Sequence, residues 1–202
     1  MKLYFSPSAC SLAPHIVAQE LGLPLDLVKV DLASKRLPDG SDFCAINPKG
    51  YVPVLESANG QRVSEVPAVL QCLAEQAEAT SLLPAPGDPR RYEVLSWLAF
   101  INSEIHKPYG PLFTPGASAA EKDAARASLR KRLAYVDQVL SAQDYLTGAS
   151  LCLADPYLYV AVHWSQWVQF DLTPWPALAA FMARMAARPA VQAAMRTEAS
   201  FS

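Results

Sequence analysis

No run of like charge interrupts this sequence. Its 17 Lys and Arg stand against 19 Asp and Glu, for a net charge of −2, and the charge-dense stretch EKDAARASLRKR at 121–132 mixes both signs. That pattern describes a solvated helix face, which argues against a nucleic-acid footprint and against a polybasic membrane anchor. Long apolar runs are missing too. A stretch such as LYVAV at 158–162 falls far short of the roughly 18 residues that a membrane span needs, so a soluble protein is expected. After Met1 and Lys2 only LYF precedes Ser6 and Pro7, too little for the apolar core of a secretory signal, and a cytoplasmic location follows as an expectation. Cys10, Cys44, Cys72 and Cys152 form no C-x-x-C pair, which removes a disulfide framework and a structural zinc site from consideration and makes reduced thiols the default. There is no G-x-G-x-x-G phosphate loop, no internal repeat and no low-complexity segment.

What is present is a chain of 202 residues, 51% of them hydrophobic, enough to bury one substantial core or two smaller ones. The first eighty residues change period repeatedly. KLYFS reads as a strand, SLAPHIVAQELGL as a helix ending near Gly22 and Pro24, and LDLVKVD as a second strand, parallel to the first. After a polar loop with room for one short helix at 34–47, VPVLES and RVSE flank Asn59-Gly60, the chemistry of a hairpin turn, and PAVLQCLAEQA returns to helical spacing. The stretch TSLLPAPGDP at 80–89 has the composition of a connector. Beyond it RRYEVLSWLAFINSEIHK, the 119–142 segment, PYLYVAVHWSQWVQF and ALAAFMARMAARPAVQAAM all space their apolar residues as helices do. The expected organisation is a mixed α/β domain over 1–80, a linker over 81–88 and an all-helical domain over 89–202.

Cys10 stands where the first strand gives way to the first helix, in SPSACSLAPH. A helix start favours anions and lowers a thiol's pKa. Small flanking residues leave room for a ligand. Free cysteines are nonetheless commonly buried and inert, the reading preferred for Cys44, Cys72 and Cys152. Position alone leaves Cys10 between reagent and small hydrophobe.

The motifs YFSPSACSLAPHI, INPKGYVPVL, SEVPAVLQCLAE, WLAFINSEIHKPYGPLF and LTGASLCLADPYLY, in this order and spacing, resemble the bacterial glutathione transferases of the beta class over essentially the whole chain. The resemblance implies a thioredoxin-like α/β N-terminal domain, an all-α C-terminal domain, and a homodimer that takes glutathione as cosubstrate at each domain junction, without a metal. It places Cys10 beside the glutathione sulfur, able to form a mixed disulfide with it. Val52-Pro53 matches the family's cis X-Pro pair, whose preceding residue pairs with the glutathione backbone. Glu65 is implied to bind the γ-glutamyl ammonium, and the residue after it to hold the carboxylate. That next residue is Val66, which supplies only its backbone N–H. Lys35 and Lys107 are implied to reach carboxylates of glutathione. Ser103 and Glu104 fall among the glutathione-binding positions, and His106 neighbours the sulfur as a donor to its thiolate. Ala99 stands where the class often has an Asn that crosses to the other subunit. In SLCLADPYLY the resemblance makes Asp155 a structural residue that bonds back to the start of a buried helix, with Cys152 in place of a capping hydroxyl. Tyr109, Phe113, Trp164 and Trp167 are candidates for an apolar second-substrate pocket or for core. His15 and His163 are expected to be structural.

The function implied is transfer of the glutathione thiolate to a small electrophile, as in detoxification, with thiol-disulfide exchange through Cys10 as a companion activity. Two alternatives stand beside it. One is a monothiol glutaredoxin-like protein, since residues 10–13 read Cys-Ser-Leu-Ala with no second thiol. The other is a noncatalytic ligand- or partner-binding member of the fold. Two further expectations are a Cys10 thiolate favoured near neutral pH, and a larger loss of binding from Glu65→Ala than from Lys35→Ala because the Glu65 contact lies at a buried end.

Overall fold

The computed structural model of the protein describes residues 1–201. Two compact units emerge, Met1–Thr80 together with the chain from Ala187 onward, and Ser81–Ala186.

In the first unit, β1 (Lys2–Phe5), β2 (Asp26–Lys29), β3 (Val54–Glu56) and β4 (Arg62–Ser64) form one sheet in the order β2-β1-β3-β4. β1 and β2 run parallel with Leu3 opposite Leu27, and the β1-β3 and β3-β4 pairs are antiparallel. The parallel pair needs a crossover, which is α1 (Leu12–Glu20). Its end is chemically marked. Gly22 takes φ +63, the N–H of Leu23 reaches the carbonyl of Ala18 and the N–H of Gly22 that of Gln19, the bond pattern of a glycine-terminated helix. The hairpin at Asn59-Gly60 forms as the sequence suggests: Gly60 has φ +82 and Ser57 donates its N–H to the carbonyl of Gln61 at 2.9 Å. The pleat sends Tyr4 to one face, where it packs with Val30, Phe43, Val52 and Val54, and Leu3 and Phe5, fully buried, to the other. Phe43 sits in a single 3-10 turn, Phe43–Ala45, within the 34–47 loop. α2 (Val66–Gln76) follows β4 and buries Val69, Leu70 and Leu73.

The second unit has α3 (Pro89–Phe100), α4 (Gly110–Phe113), α5 (Ala119–Leu140), α6 (Asp155–His163) and α7 (Pro176–Ala186). α5 buries Ala125, Leu129, Leu133, Val136 and Leu140 along one stripe and starts with a reciprocal cap between Ser118 and Glu121. α6 is buried on almost every side from Asp155 to Val162, as its unbroken apolar run requires. At its start the Asp155 carboxylate accepts the N–H of Cys152 at 2.6 Å and of Leu146 at 2.9 Å, the structural role expected for it.

The apolar spacing that runs through ALAAFMARMAARPAVQAAM belongs to two helices, because Pro189 starts a new one, α8 (Pro189–Ala199). α8 groups with the first unit. Specific partners hold it there. Arg188 clasps Glu20 with two bonds of 2.5 and 2.9 Å, the Phe201 ring meets Phe5 edge-on, and Lys29 donates to the carbonyl of Phe201. Glu198 is buried with His15, accepting from its Nδ1 at 3.0 Å and from the N–H of Ser8 at 2.8 Å. His15 is therefore structural, as expected. Glu198→Ala, which strands both donors, is expected to destabilise the protein by about 3 kcal/mol in urea unfolding; a change under about 1 kcal/mol would mean the donors find other partners. Among the described residues no helix is long and apolar enough to cross a membrane.

Candidate functional site

In the first unit the candidate residues gather around the loop between β1 and α1 and the turn before β3. The 6–11 loop is closed by Ser11, whose buried Oγ accepts from the N–H of Ser6 and donates to its carbonyl, both at 3.2 Å. Ser8 holds φ +61 and is the residue pinned by Glu198. The result presents Cys10 just ahead of the helix, with Ser11 as N-cap. The Cys10 thiol donates to the carbonyl of Val52 at 3.3 Å, and the Val52-Pro53 bond is cis, as the resemblance implied.

Burial here works against the thiolate that the helix start would favour. The residue is partly exposed but its sulfur is desolvated, and this burial, added to the negative charge of Glu65, pushes the thiol up to about 12. The backbone N–H groups of Cys10 and Ser11 pull the other way and lose. Desolvation outweighs a partial helix dipole.

Asn47 builds the turn that carries Val52. It is buried, its Nδ2 donates to the carbonyl of Tyr51 at 2.7 Å, and its own carbonyl accepts from Gly50 at 2.8 Å. Lys35, at φ +57, sends Nζ to the carbonyl of Gly50 at 2.9 Å and over the ring of Tyr51. Glu65 occupies φ +75 immediately before α2, a conformation that costs a non-glycine residue about 1–3 kcal/mol and collects at functional sites. Its carboxylate is exposed, not at a buried end, and pairs with Lys49 at 2.7 Å. Val66 is buried in the core, so its side chain offers nothing polar.

The second unit carries the other candidates on one segment. After α3 the helix widens into a π turn over Ile101–His106 and tightens to a 3-10 turn over Lys107–Tyr109. Sequence periodicity alone predicts an unbroken helix here. Pro108 accounts for the change, because its ring would strike the carbonyl of Glu104 four residues back in a regular α-helix. Ser103 bonds back to the carbonyl of Ala99 at 3.0 Å, Glu104 pairs with Arg132 at 2.5 Å, and Lys107 is exposed. His106 Nδ1 lies 2.7 Å from the hydroxyl of Tyr157, which donates to Asn102 Oδ1 at 2.9 Å.

Of the four aromatic candidates three belong together: the Trp164 ring packs edge-on against Tyr109, Phe113 and His106. Tyr109 is core, bonded to Ser165 at 2.7 Å, while Phe113 is 46% exposed. Trp167 stands apart against His163, which itself stacks on Tyr159. Among the described residues no cluster of three or more His, Cys, Asp and Glu could hold a metal ion. Asn47, Lys49, Asn102 and Tyr157 were not singled out from sequence, although all four lie inside the quoted motifs, Asn102 directly before Ser103 and Tyr157 two residues after Asp155.

Comparison with known proteins finds two family models along the chain. The family model described as "Glutathione S-transferase, N-terminal domain" matches residues 7–76, and that described as "Glutathione S-transferase, C-terminal domain" matches residues 96–189. The glutathione S-transferase GstA of Escherichia coli O157:H7 is 41% identical over 198 residues, 98% of each chain. Among solved structures, the ternary complex of BphK, a bacterial GST, is 48% identical with a TM-score of 0.97, over 98% of this chain and 100% of that one. A sphingomonad glutathione S-transferase complexed with glutathione is 44% identical with a TM-score of 0.95, over 98% and 99%. The bacterial beta class enzyme of Sphingomonas chungbukensis is 42% identical with a TM-score of 0.94, over 98% of each chain.

Proposed function

The chain belongs to the bacterial beta-class glutathione S-transferases, and from that premise we propose how its own residues hold glutathione and support the transfer. It is a glutathione transferase. The glutaredoxin-like and noncatalytic alternatives give way to that reading.

The observation that carries the site is Glu65, held at a strained φ of +75 with its carboxylate turned outward at the start of α2. In this reading it takes the γ-glutamyl ammonium. The backbone N–H of Val66, aided by the positive end of α2, takes the adjacent carboxylate. The peptide backbone of glutathione lies along Val52-Pro53, and Lys35 turns from Gly50 to the glycyl carboxylate. In the second unit Ser103, Glu104 and Lys107 are the glutathione-binding candidates, with Glu104 paired to Arg132. Cys10 acts as a neutral thiol that donates its S–H to the glutathione sulfur. His106 serves the same sulfur. The thiolate attacks an electrophilic carbon, a C–S bond forms, and the leaving group departs with its electron pair. The exposed face of Phe113 beside Trp164 supports an apolar electrophile. A cytoplasmic detoxifying homodimer fits this chemistry, and the exposed rings of Tyr51, Tyr92 and Tyr135 support a self-association that light scattering would test.

Calorimetric titration with glutathione and with S-methylglutathione is the direct measurement. Both should bind at or below millimolar concentration, and absence of heat from both would end this reading. Because Lys49 already occupies Glu65, glutathione must displace it. That exposed pair is worth about 0.2–1 kcal/mol, so Lys49→Met is expected to tighten glutathione binding by roughly 1.4-fold to fivefold. Weaker binding by Lys49→Met would mean that the ammonium itself contacts glutathione. The exposure of Glu65 also removes the reason for ranking Glu65→Ala above Lys35→Ala; comparable losses are now expected.

A further inference from the structure

We propose that Tyr157 and Asn102 are positioning residues that fix His106 with its proton on Nδ1, so that Nε2 receives the proton of the glutathione thiol. The proposal rests on the reading that His106 serves the glutathione sulfur.

Three groups in the second unit form a directed chain. The Tyr157 hydroxyl has one hydrogen, and it goes to Asn102 Oδ1 at 2.9 Å. The phenol oxygen can then only accept from His106, 2.7 Å away at Nδ1. A neutral imidazole with its proton on Nδ1 carries its lone pair on Nε2. Packing reinforces the setting. Tyr157 is fully buried within α6, its ring meets His106 edge-on at 5.9 Å, and Trp164 flanks the imidazole at 4.8 Å. The π turn belongs to the device, since Asn102 and His106 both lie on it and both reach one hydroxyl from α6.

The chemical step is a single proton transfer. The S–H bond of glutathione breaks, its electron pair stays on sulfur, and the proton forms the Nε2–H bond of an imidazolium. That imidazolium then donates to the thiolate, the supporting role expected of His106. A histidine in water would favour the opposite tautomer and present Nε2–H, unable to accept.

The test uses the full chain with 15N-labelled histidine. Wild-type protein is expected to show His106, assigned by loss of its signals in His106→Ala, protonated on Nδ1 when neutral. In Tyr157→Phe the Nε2–H form should dominate, kcat should fall about tenfold, and glutathione affinity should stay within twofold. Asn102→Asp keeps an acceptor at the end of the chain and should retain the Nδ1–H tautomer with kcat within threefold, whereas Asn102→Leu should behave like Tyr157→Phe. A wild-type His106 unprotonated on Nδ1, or a Tyr157→Phe enzyme of unchanged kcat, would overturn the proposal. If Tyr157→Phe does not fold, the Asn102 pair decides on the same readouts, Asn102 being only partly buried. Unimpaired conjugation by His106→Ala would instead sink the functional assignment of His106, a result separate from the tautomer itself.

Discussion

Asp155→Ala is expected to lower the stability of the protein by about 4 kcal/mol, since it leaves two buried N–H groups without an acceptor at about 1–3 kcal/mol each. Both donors are deep: Leu146 is 1% and Cys152 3% exposed. The side chain that accepts from them is itself fully buried, so water cannot replace it without opening the unit. The location magnifies the effect. Asp155 begins α6, the helix buried from Asp155 through Val162, so loosening its start exposes the apolar centre of the second unit. Asp155→Asn should recover at most half, because an amide offers one acceptor oxygen where the carboxylate offers two. Urea unfolding of the two variants beside wild type makes the measurement. A loss under about 1 kcal/mol for Asp155→Ala would show that the two N–H groups had other partners within reach.

The same residue illustrates what a sequence discloses. Asp155 three positions after Cys152 is a local pattern, and local patterns were legible: the β1-α1-β2 alternation, the Asn59-Gly60 turn, the proline-rich connector. Features that depend on a distant partner were not. Apolar spacing in Val191 and Ala194 says that α8 has a buried face, but nothing local says that the face belongs to the first unit; that choice is made by Arg188 finding Glu20 and Glu198 finding His15 and Ser8. Helical periodicity through INSEIHKP could not show a π turn, since widening by one residue leaves Ile101 and Ile105 both buried. Tyr157 was hidden for the opposite reason. In a helix buried on every side an aromatic residue looks like any other core residue, and only the position of its hydroxyl between Asn102 and His106 separates it from them. At Cys10 the local context argues for a thiolate, whereas burial and the charge of Glu65, which depend on distant segments, push the thiol up.

In the ligand-free protein Cys10 is expected to react with iodoacetamide at pH 7.5 about 100-fold more slowly than an unhindered cysteine. The thiol is pushed up to about 12 by desolvation, with the charge of Glu65 adding to it. Against a free thiol of pKa about 8.5 its thiolate population is smaller by roughly 3000-fold, while the greater nucleophilicity of a more basic thiolate returns roughly 30-fold. The hydrogen bond to the carbonyl of Val52 acts in the same direction, since it holds the proton that must leave. A stability signature accompanies the reactivity. The folded state keeps Cys10 protonated up to about pH 12, whereas the unfolded chain gives up the proton near pH 8.5, so the contribution of this group is complete below pH 8.5 and declines as pH rises. Relative to Cys10→Ala, wild-type protein should lose about 2 kcal/mol between pH 8 and pH 10. Peptide mapping after timed alkylation distinguishes Cys10 from Cys44 and Cys72, which are also partly exposed. Labelling of Cys10 at pH 7.5 as fast as that of an unfolded control would show a thiolate, restore the mixed disulfide with glutathione as a ready reaction, and remove the neutral-donor role. Slow labelling that persists when Glu65→Gln removes the nearby charge would identify desolvation as the dominant cause and would uphold a Cys10 that stays protonated near neutral pH.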